Sequence, residues 1–336
     1  MSFKVHTEPG GHTFEVATGE DLLAAALHQG IGLPYGCRNG QCGSCAAQLL
    51  QGEVAYPDGM PEALEGRSPD TCITCQAVPR SGLIIQVQEV TTSAGLEVRT
   101  LPCRVVAKQQ LNHDVIRLYL KLLDNQRLQF FAGQYLDFIL RDGRKRAFSI
   151  ANAPHDDERI ELHIRHVPGG KFTDYVFESM QEETILRIQA PLGTFTLRED
   201  SQRPLIFMGG GTGFAPIKGI IEHAFHIGIK RPMHLYWGVR ARRDLYLPDL
   251  PGQWAREHSN LIYTPVLSEP DADWAGCTGF VHEAVVADYP DMSGFDVYMS
   301  GPPIMVDAGR AAFGARGLTM DHMFYDAFEY AADSQS

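Results

Sequence analysis

The sequence has no apolar run approaching the 18 residues that span a bilayer, so no transmembrane helix and no membrane partner are expected. Its start, MSFKVHTEPG, lacks the basic-then-apolar pattern of a secretion signal, and a cytoplasmic location is expected. Positive charge is scarce. Twenty-nine basic residues face 41 acidic ones, a net charge of −12, which leaves no broad basic surface for nucleic acid. Repeats and low-complexity stretches are absent. Cysteine is sparse, seven in 336 residues, yet five of them (Cys37, Cys42, Cys45, Cys72, Cys75) fall within 39 positions, where even scatter would leave fewer than one. With no secretion signal, that clustering argues for metal ligation over disulfides. Hydrophobic residues at 44% and charged residues at 21% describe an ordinary globular chain, long enough for two or three domains.

Two polar stretches punctuate it. Residues 91–98 (TTSAGLEV) read as a linker, and residues 198–204 (REDSQRP) as a second boundary. The first piece mixes strands at Phe3–Thr7, Thr13–Ala17, Ala46–Leu50 and Leu83–Val90 with a helix over Asp21–Gln29. That helix is expected to open at a capping box, Thr18-Gly19-Glu20-Asp21, and to stop at Gly30. The second piece carries strand patterns at Cys103–Ala107, Val115–Lys121, Gln134–Leu140, Phe148–Ala151, Ile160–His166 and Ile185–Ala190, with a helix over Thr173–Ser179, as in a barrel or sandwich. The third alternates strands (Leu205–Met208, His234–Trp237, Ile262–Pro265, Val297–Met299) with helices (Ala215–His226, Val281–Ala287, Pro303–Phe313), the pattern of a doubly wound parallel sheet.

In GCRNGQCGSC, four residues separate Cys37 from Cys42 and two separate Cys42 from Cys45. This is the C-x4-C-x2-C spacing of plant-type iron–sulfur sites, completed by a distant fourth cysteine, here Cys72 or Cys75. Thiolates are soft ligands for iron, and Gly36, Gly40 and Gly43 let the loop approach a cluster closely. A zinc site pairing Cys42/Cys45 with Cys72/Cys75 is the alternative. The segment resembles the β-grasp [2Fe-2S] ferredoxins, whose last cysteine follows the third after about 29 residues. Cys75 fits that interval. The resemblance thus implies Cys37, Cys42, Cys45 and Cys75 as ligands and leaves Cys72 as a non-ligand thiol.

Arg146-Ala147-Phe148-Ser149 resembles the RxYS element of the ferredoxin–NADP reductase superfamily, with Phe in place of Tyr. The resemblance implies that Arg146 pairs with the flavin pyrophosphate, Phe148 packs on the flavin and Ser149 lies near N5. It also assigns His163 and Ile164 to a strand lining the isoalloxazine. Gly170, Lys171 and Thr173 belong to a glycine turn and helix start that receive the pyrophosphate. The turn Pro191–Phe195 is expected to end this barrel.

Leu205–Met208 runs into GGGTGFAP. A strand ending in a glycine turn that opens a helix suits a dinucleotide phosphate, although the spacing is neither GxGxxG nor a P-loop. The superfamily's GGGTGxAP pattern matches it at Gly210, Gly211, Thr212 and Gly213. Its adenosine segment GxR…DLY matches at Arg240, and its CGPP turn beside the nicotinamide matches at Ser300, Gly301 and Pro302. Ser300 stands where the family usually has Cys. Arg242 and Arg243 are candidates for a 2′-phosphate. In FYDAF, Phe328 is the expected aromatic over the flavin and Asp326 a group near the hydride path.

Together the pieces resemble the reductases that fuse a [2Fe-2S] ferredoxin to an FAD- and NAD-binding module. Relatives of that kind include phenol-hydroxylase-type oxygenase reductases and CDP-6-deoxy-glucoseen reductases. The resemblance implies a β-grasp domain over 1–92, an antiparallel β-barrel FAD domain over 99–200 and a doubly wound NAD domain over 203–330. NADH is the expected donor and NADPH the alternative. Ser149, Ser300 and Asp326 are the expected catalytic residues. The acceptor is expected to be a separate protein, an oxygenase component. A reductase feeding deoxysugar synthesis, a free-flavin reductase and a binding module with little turnover are the other readings.

Overall fold

The computed structural model describes residues 2–87 and 96–328. The chain divides into two compact units, Met1–Leu96 and Glu97–Ser336. Residues 91–95 of the expected linker, and residues 88–90 of the expected strand Leu83–Val90, lie outside the described residues.

In the first unit, five strands pair in the order Thr13–Ala17, Ser2–Glu8, Leu83–Gln86, Ala46–Gln51, Thr71–Ile73. Ser2–Glu8 and Leu83–Gln86 run parallel, and the other pairs are antiparallel. Thr13–Ala17 alternates exposed and buried residues, as a strand with one wet face must. Helix α1 (Leu22–His28) lays Leu22, Leu23, Ala25 and Ala26 into a core shared with Val5, Phe14 and Ile85. The helix is not capped by Thr18. Asp21 is the N-cap, its carboxylate accepting the Ala24 N–H at 2.8 Å. Glu20 instead takes the Ala17 N–H at 3.2 Å.

The second unit has two lobes. The first is a six-stranded antiparallel sheet in the order Lys145–Ser149, Tyr135–Ile139, Ile185–Leu192, Arg99–Gln110, Val115–Leu122, Ile160–Arg165. A bridge between Ile150 and Leu162 brings its two edges together and closes a barrel. The barrel is filled by Leu118, Leu136, Leu162, Ile164 and Ile188, among others. Helix α2 (Lys171–Glu178) follows the Ile160–Arg165 strand.

The second lobe is an all-parallel sheet in the order Cys277–Thr278, Leu261–Leu267, Met233–Val239, Leu205–Gly210, Asp296–Gly301, Met323–Ala327. Every residue of Leu205–Gly210 and of Asp296–Gly301 is buried, as strands covered on both faces require. Helices α3 (Phe214–His226), α4 (Leu250–Glu257), α5 (Val281–Asp288) and α6 (Pro303–Gly314) flank the sheet. Strand order reverses between Leu205–Gly210 and Asp296–Gly301, and ligands of open α/β sheets bind outside the carboxyl ends of strands at such a switch point. The glycine turn and the Ser300–Pro302 turn both lie there. Val115, Ala132, Phe195 and Leu197 of the barrel lobe join the core of this lobe, so one apolar interior runs through both.

Candidate active site

In the first unit the loop from Gly36 to Cys45 brings its sulfurs into two pairs. The Cys37 N–H donates to Cys42 Sγ at 3.4 Å, and the Cys42 N–H donates to Cys37 Sγ at 3.3 Å. Cys45 Sγ and Cys75 Sγ lie 3.3 Å apart. The loop turns through Gly40 (φ 84°) and Gly43 (φ 71°), a backbone region where a side chain is strained. The Ser44 N–H donates to Cys42 Sγ at 3.5 Å, and the Cys42 thiol donates to Ser44 Oγ at 3.4 Å. Among the described residues, no three His, Cys, Asp or Glu side chains converge on a single metal position. Two separate sulfur pairs fit a cluster of two irons, each of which would take two of these thiolates. They do not fit the four-sulfur tetrahedron of zinc. Cys72 pairs with Ala47 in the sheet and is fully buried in the core; that burial, more than any neighbour, pushes its thiol up to about 12.

In the second unit a cleft of about 490 Å³ opens between the lobes. Gly210–Thr212, Pro302, Arg165 and Arg240 line it. The glycines are required by close packing. A Cβ on Gly213 would stand 2.0 Å from the Ser300 carbonyl oxygen, and one on Gly210 would stand 2.5 Å from Met305 Sδ. Trp237 holds the turn by donating its indole N–H to the Gly211 carbonyl at 2.9 Å. Helix α3 starts from this turn, so its unsatisfied N–H groups and the two arginines favour an anion in the cleft. Arg165 is fixed by donating Nε–H to Asp114 Oδ2 at 2.8 Å. Ser300 is fully buried, and its Oγ has no hydrogen-bond partner among the described residues. A hydroxyl orphaned in this way fits a polar ligand group arriving beside the Ser300–Pro302 turn.

The lobes meet at Ser149 and Asp326. Asp326 lies on the edge strand Met323–Ala327, opposite Ser300, and its Oδ2 accepts the Ser149 hydroxyl at 3.3 Å. Burial raises the Asp326 carboxyl to about 6, with the Ser149 hydrogen bond opposing. The Phe328 N–H donates to the Gly301 carbonyl at 2.8 Å, which sets that aromatic beside the same turn. Phe148 is half-buried and packs on Phe138 and Phe172, with ring centroids at 5.7 and 5.6 Å. The Arg146 guanidinium donates to the Lys145 carbonyl at 2.8 Å.

Three expected contacts are placed differently. His163 has no exposed side-chain surface, and both its ring nitrogens are engaged, with Glu161 at 2.8 Å and the Tyr246 hydroxyl at 3.0 Å. Ile164 is fully buried in the barrel core. Neither side chain lines an open surface, because both faces of this strand are covered. Thr173 Oγ1 is spent within its own turn, accepting the Val167 N–H at 3.2 Å and lying 3.0 Å from the Gly170 carbonyl. It therefore shapes the turn at Gly170 and Lys171 that opens α2. Of the two candidates for a 2′-phosphate, Arg242 pairs with Asp273 at 3.3 Å and sits over the Trp274 ring at 5.4 Å. The Arg243 carbonyl accepts from Asn112 at 3.1 Å.

Sequence reasoning passed over Arg165 and Phe280. Arg165 was visible only as one charge between two histidines. Phe280 lines the cleft at the start of α5 and is 63% exposed, with no local motif to mark it.

Three family models match the chain: a 2Fe-2S iron-sulfur cluster binding domain over residues 5–80, an oxidoreductase FAD-binding domain over 102–197 and an oxidoreductase NAD-binding domain over 207–311. The chain is 38% identical to a CDP-6-deoxy-L-threo-D-glycero-4-hexulose-3-dehydrase reductase of Yersinia pestis, over 98% of this chain and 99% of that protein. It is 34% identical to the phenol 2-monooxygenase reductase component DmpP of a Pseudomonas strain, over 99% and 96%. Among solved structures, the Amycolatopsis cytochrome P450 reductase GcoB matches with a TM-score of 0.79 and 33% identity, over 98% of this chain and 100% of that one.

Proposed function

The chain belongs to the family of reductases that fuse [2Fe-2S], FAD-binding and NAD-binding domains, and we propose that it carries electrons from NADH to an oxygenase component, a separate protein. The observation that carries this reading is the cleft at the strand switch point, lined by the glycine turn, Arg165, Arg240 and Pro302. The Ser149–Asp326 contact joins the lobes beside the same turn, with Asp326 opposite Ser300. We draw the domain limits at 1–92, 99–200 and 203–330, which enclose the matched ranges.

The bound groups supply the conversion of a two-electron hydride into single electrons. The protein supplies places and orientation. Cys37, Cys42, Cys45 and Cys75 would hold the cluster, and the backbone N–H groups of Cys37, Cys42 and Ser44 donate to the Cys37 and Cys42 sulfurs. Arg146, Phe148, Gly170 and Lys171 hold the flavin. Gly210–Gly213, Arg165 and Arg240 take the nucleotide phosphates. Ser300, Gly301 and Pro302 bound the nicotinamide, and the Ser149 hydroxyl donates to Asp326 at the junction. The tie of Arg242 to Asp273 and Trp274 supports NADH over NADPH, because it directs that charge away from a 2′-phosphate. A cytoplasmic location, where thiols stay reduced, completes the reading.

One observation favours a second acceptor. Identity to the hexulose-dehydrase reductase, at 38%, exceeds the 31–35% to relatives from oxygenase and hydroxylase systems. The test is an anaerobic NADH titration of the holoprotein. Bleaching of both flavin and cluster absorption is expected, and failure of NADH to bleach either centre refutes the reading. Turnover with a purified oxygenase component, set against turnover with a dehydrase, then separates the two acceptors.

A further inference from the structure

Lys218 of α3 is a buried cation that the proposed chemistry does not use. Its ammonium donates to three acceptors: the Ala151 carbonyl at 3.2 Å, Glu161 Oε2 at 3.2 Å and Glu222 Oε2 at 3.0 Å. Three donors meet three acceptors, so the group is fully satisfied. The side chains of Lys218 and Glu161 are each only 7% exposed. The other Glu161 oxygen accepts from His163 at 2.8 Å, with Arg117 Nη1 at 3.9 Å. His163 then reaches the Tyr246 hydroxyl at 3.0 Å, and Tyr246 lines the cleft. Burial drives His163 towards its neutral form. These contacts suit a neutral ring that donates Nε2–H to Glu161 and accepts the Tyr246 proton at Nδ1. Burial also opposes charge on Lys218, but Glu161 and Glu222 outweigh it and raise its pKa. Two carboxylates thus balance Lys218 and Arg117.

The placement of this network is telling. Ala151 follows Ser149 by two residues. Glu161 and His163 share a strand with Arg165. Lys218 follows the Gly210–Gly213 turn on the same helix. Next to Lys218, Gly219 seats the helix on the barrel, where a Cβ would stand 2.9 Å from the Asn152 carbonyl. Asn152 is itself held by donating to the Asp156 and Arg159 carbonyls at 2.6 and 3.0 Å, and by accepting the Glu161 N–H at 2.8 Å. One buried cation therefore ties the end of the Ser149 strand, the Arg165 strand and the nucleotide-binding helix.

We propose that Lys218, with Glu161, is a positioning element that sets the flavin-bearing barrel against the nucleotide-bearing lobe for hydride transfer. The proposal rests on the NADH-to-flavin reading above. Hydride transfer tolerates little misplacement, and an ion network with discrete partners fixes one arrangement where apolar packing would allow sliding.

The test uses the full holoprotein as Lys218→Met and as the double variant Lys218→Met/Glu161→Gln, which removes one charge of each sign. The double variant is expected to retain FAD and cluster absorption and to bind NADH within about twofold of wild type. Its single-turnover flavin reduction should slow at least about tenfold, with a larger deuterium isotope effect from 4-deuterated NADH. Amide exchange should rise over residues 151–161 and at the start of α3, with or without cofactor. A staple with only a structural role would lower thermal stability and leave the per-flavin rate and isotope effect alone. That result, or unchanged amide exchange, overturns the proposal. If NADH does not reduce the wild-type flavin, the functional reading fails instead, and the exchange measurement still decides whether the network holds the lobes.

Discussion

Asp326→Asn should make the second unit more stable at neutral pH, although it replaces a charge at the proposed site. The carboxyl sits at about 6 against an ordinary 3.8, chiefly because burial disfavours its charge. A raised carboxyl is neutral, and free of penalty, below its unfolded value, and it loses stability as pH climbs through the folded one. Applied to this shift, linkage gives a wild-type penalty of about 1–2 kcal/mol at pH 5 and about 3 kcal/mol at pH 7. Both are upper values, because Asp326 is only half-buried and solvent screens part of the effect. The amide can still accept the Ser149 hydroxyl, now at 3.3 Å, so that hydrogen bond need not be lost. All three tryptophans, Trp237, Trp254 and Trp274, lie in the nucleotide lobe that carries Asp326. Urea unfolding followed by their fluorescence therefore reads that lobe. The variant should exceed wild type at pH 7 and keep less than that advantage at pH 5. An equal difference at both pH values, or a variant weaker at pH 7, refutes a buried, raised carboxyl.

Cys75→Ser should abolish the cluster's visible absorption, whereas Cys72→Ser should keep it and cost about 1–3 kcal/mol for a hydroxyl buried in the core; the reverse pattern of spectra would reassign the fourth ligand. Gly213→Ala drives a methyl group into the backbone at Ser300, so NADH affinity should fall at least about tenfold while bound FAD is retained. A fluorescence titration giving wild-type affinity would mean that this turn does not meet the nucleotide. Residues 1–90 carry ten acids and four bases. Turnover with the acceptor protein should therefore drop as salt rises from low to physiological strength, and a flat salt response removes charge steering from the account.

Motifs that are contiguous in the chain were legible before any coordinates. The cysteine loop, RAFS, the glycine turn and SGPP each carry their chemistry within a few residues. Groups assembled across the fold were not. His163 reads as a strand residue on a ligand face, and only the arrival of Tyr246 from the other lobe turns it into a buried link. Helix α4 was not expected from the sequence. Pro251 stands in its first turn, where a missing N–H costs nothing, and Trp254, buried in the core, anchors it. The strand Arg99–Gln110 was begun too late, at Cys103. Pro102 lies within it opposite Arg187, a paired position that a proline argues against from sequence alone. The expected helix began at Asp21, with Thr18 in its capping box, whereas Asp21 itself is the N-cap and the helix begins at Leu22; Thr18 and Asp21 are both able to cap, and the local sequence does not choose between them.

The strand Met323–Ala327 lies at the edge of the parallel sheet, yet it brings Asp326 to Ser149 and Phe328 to Gly301. One wall of the site therefore hangs on the pairing of this strand with Asp296–Gly301. Edge strands fray more readily than the strands they pair with. Loosening this edge would open the site while the barrel and the central strands stayed intact.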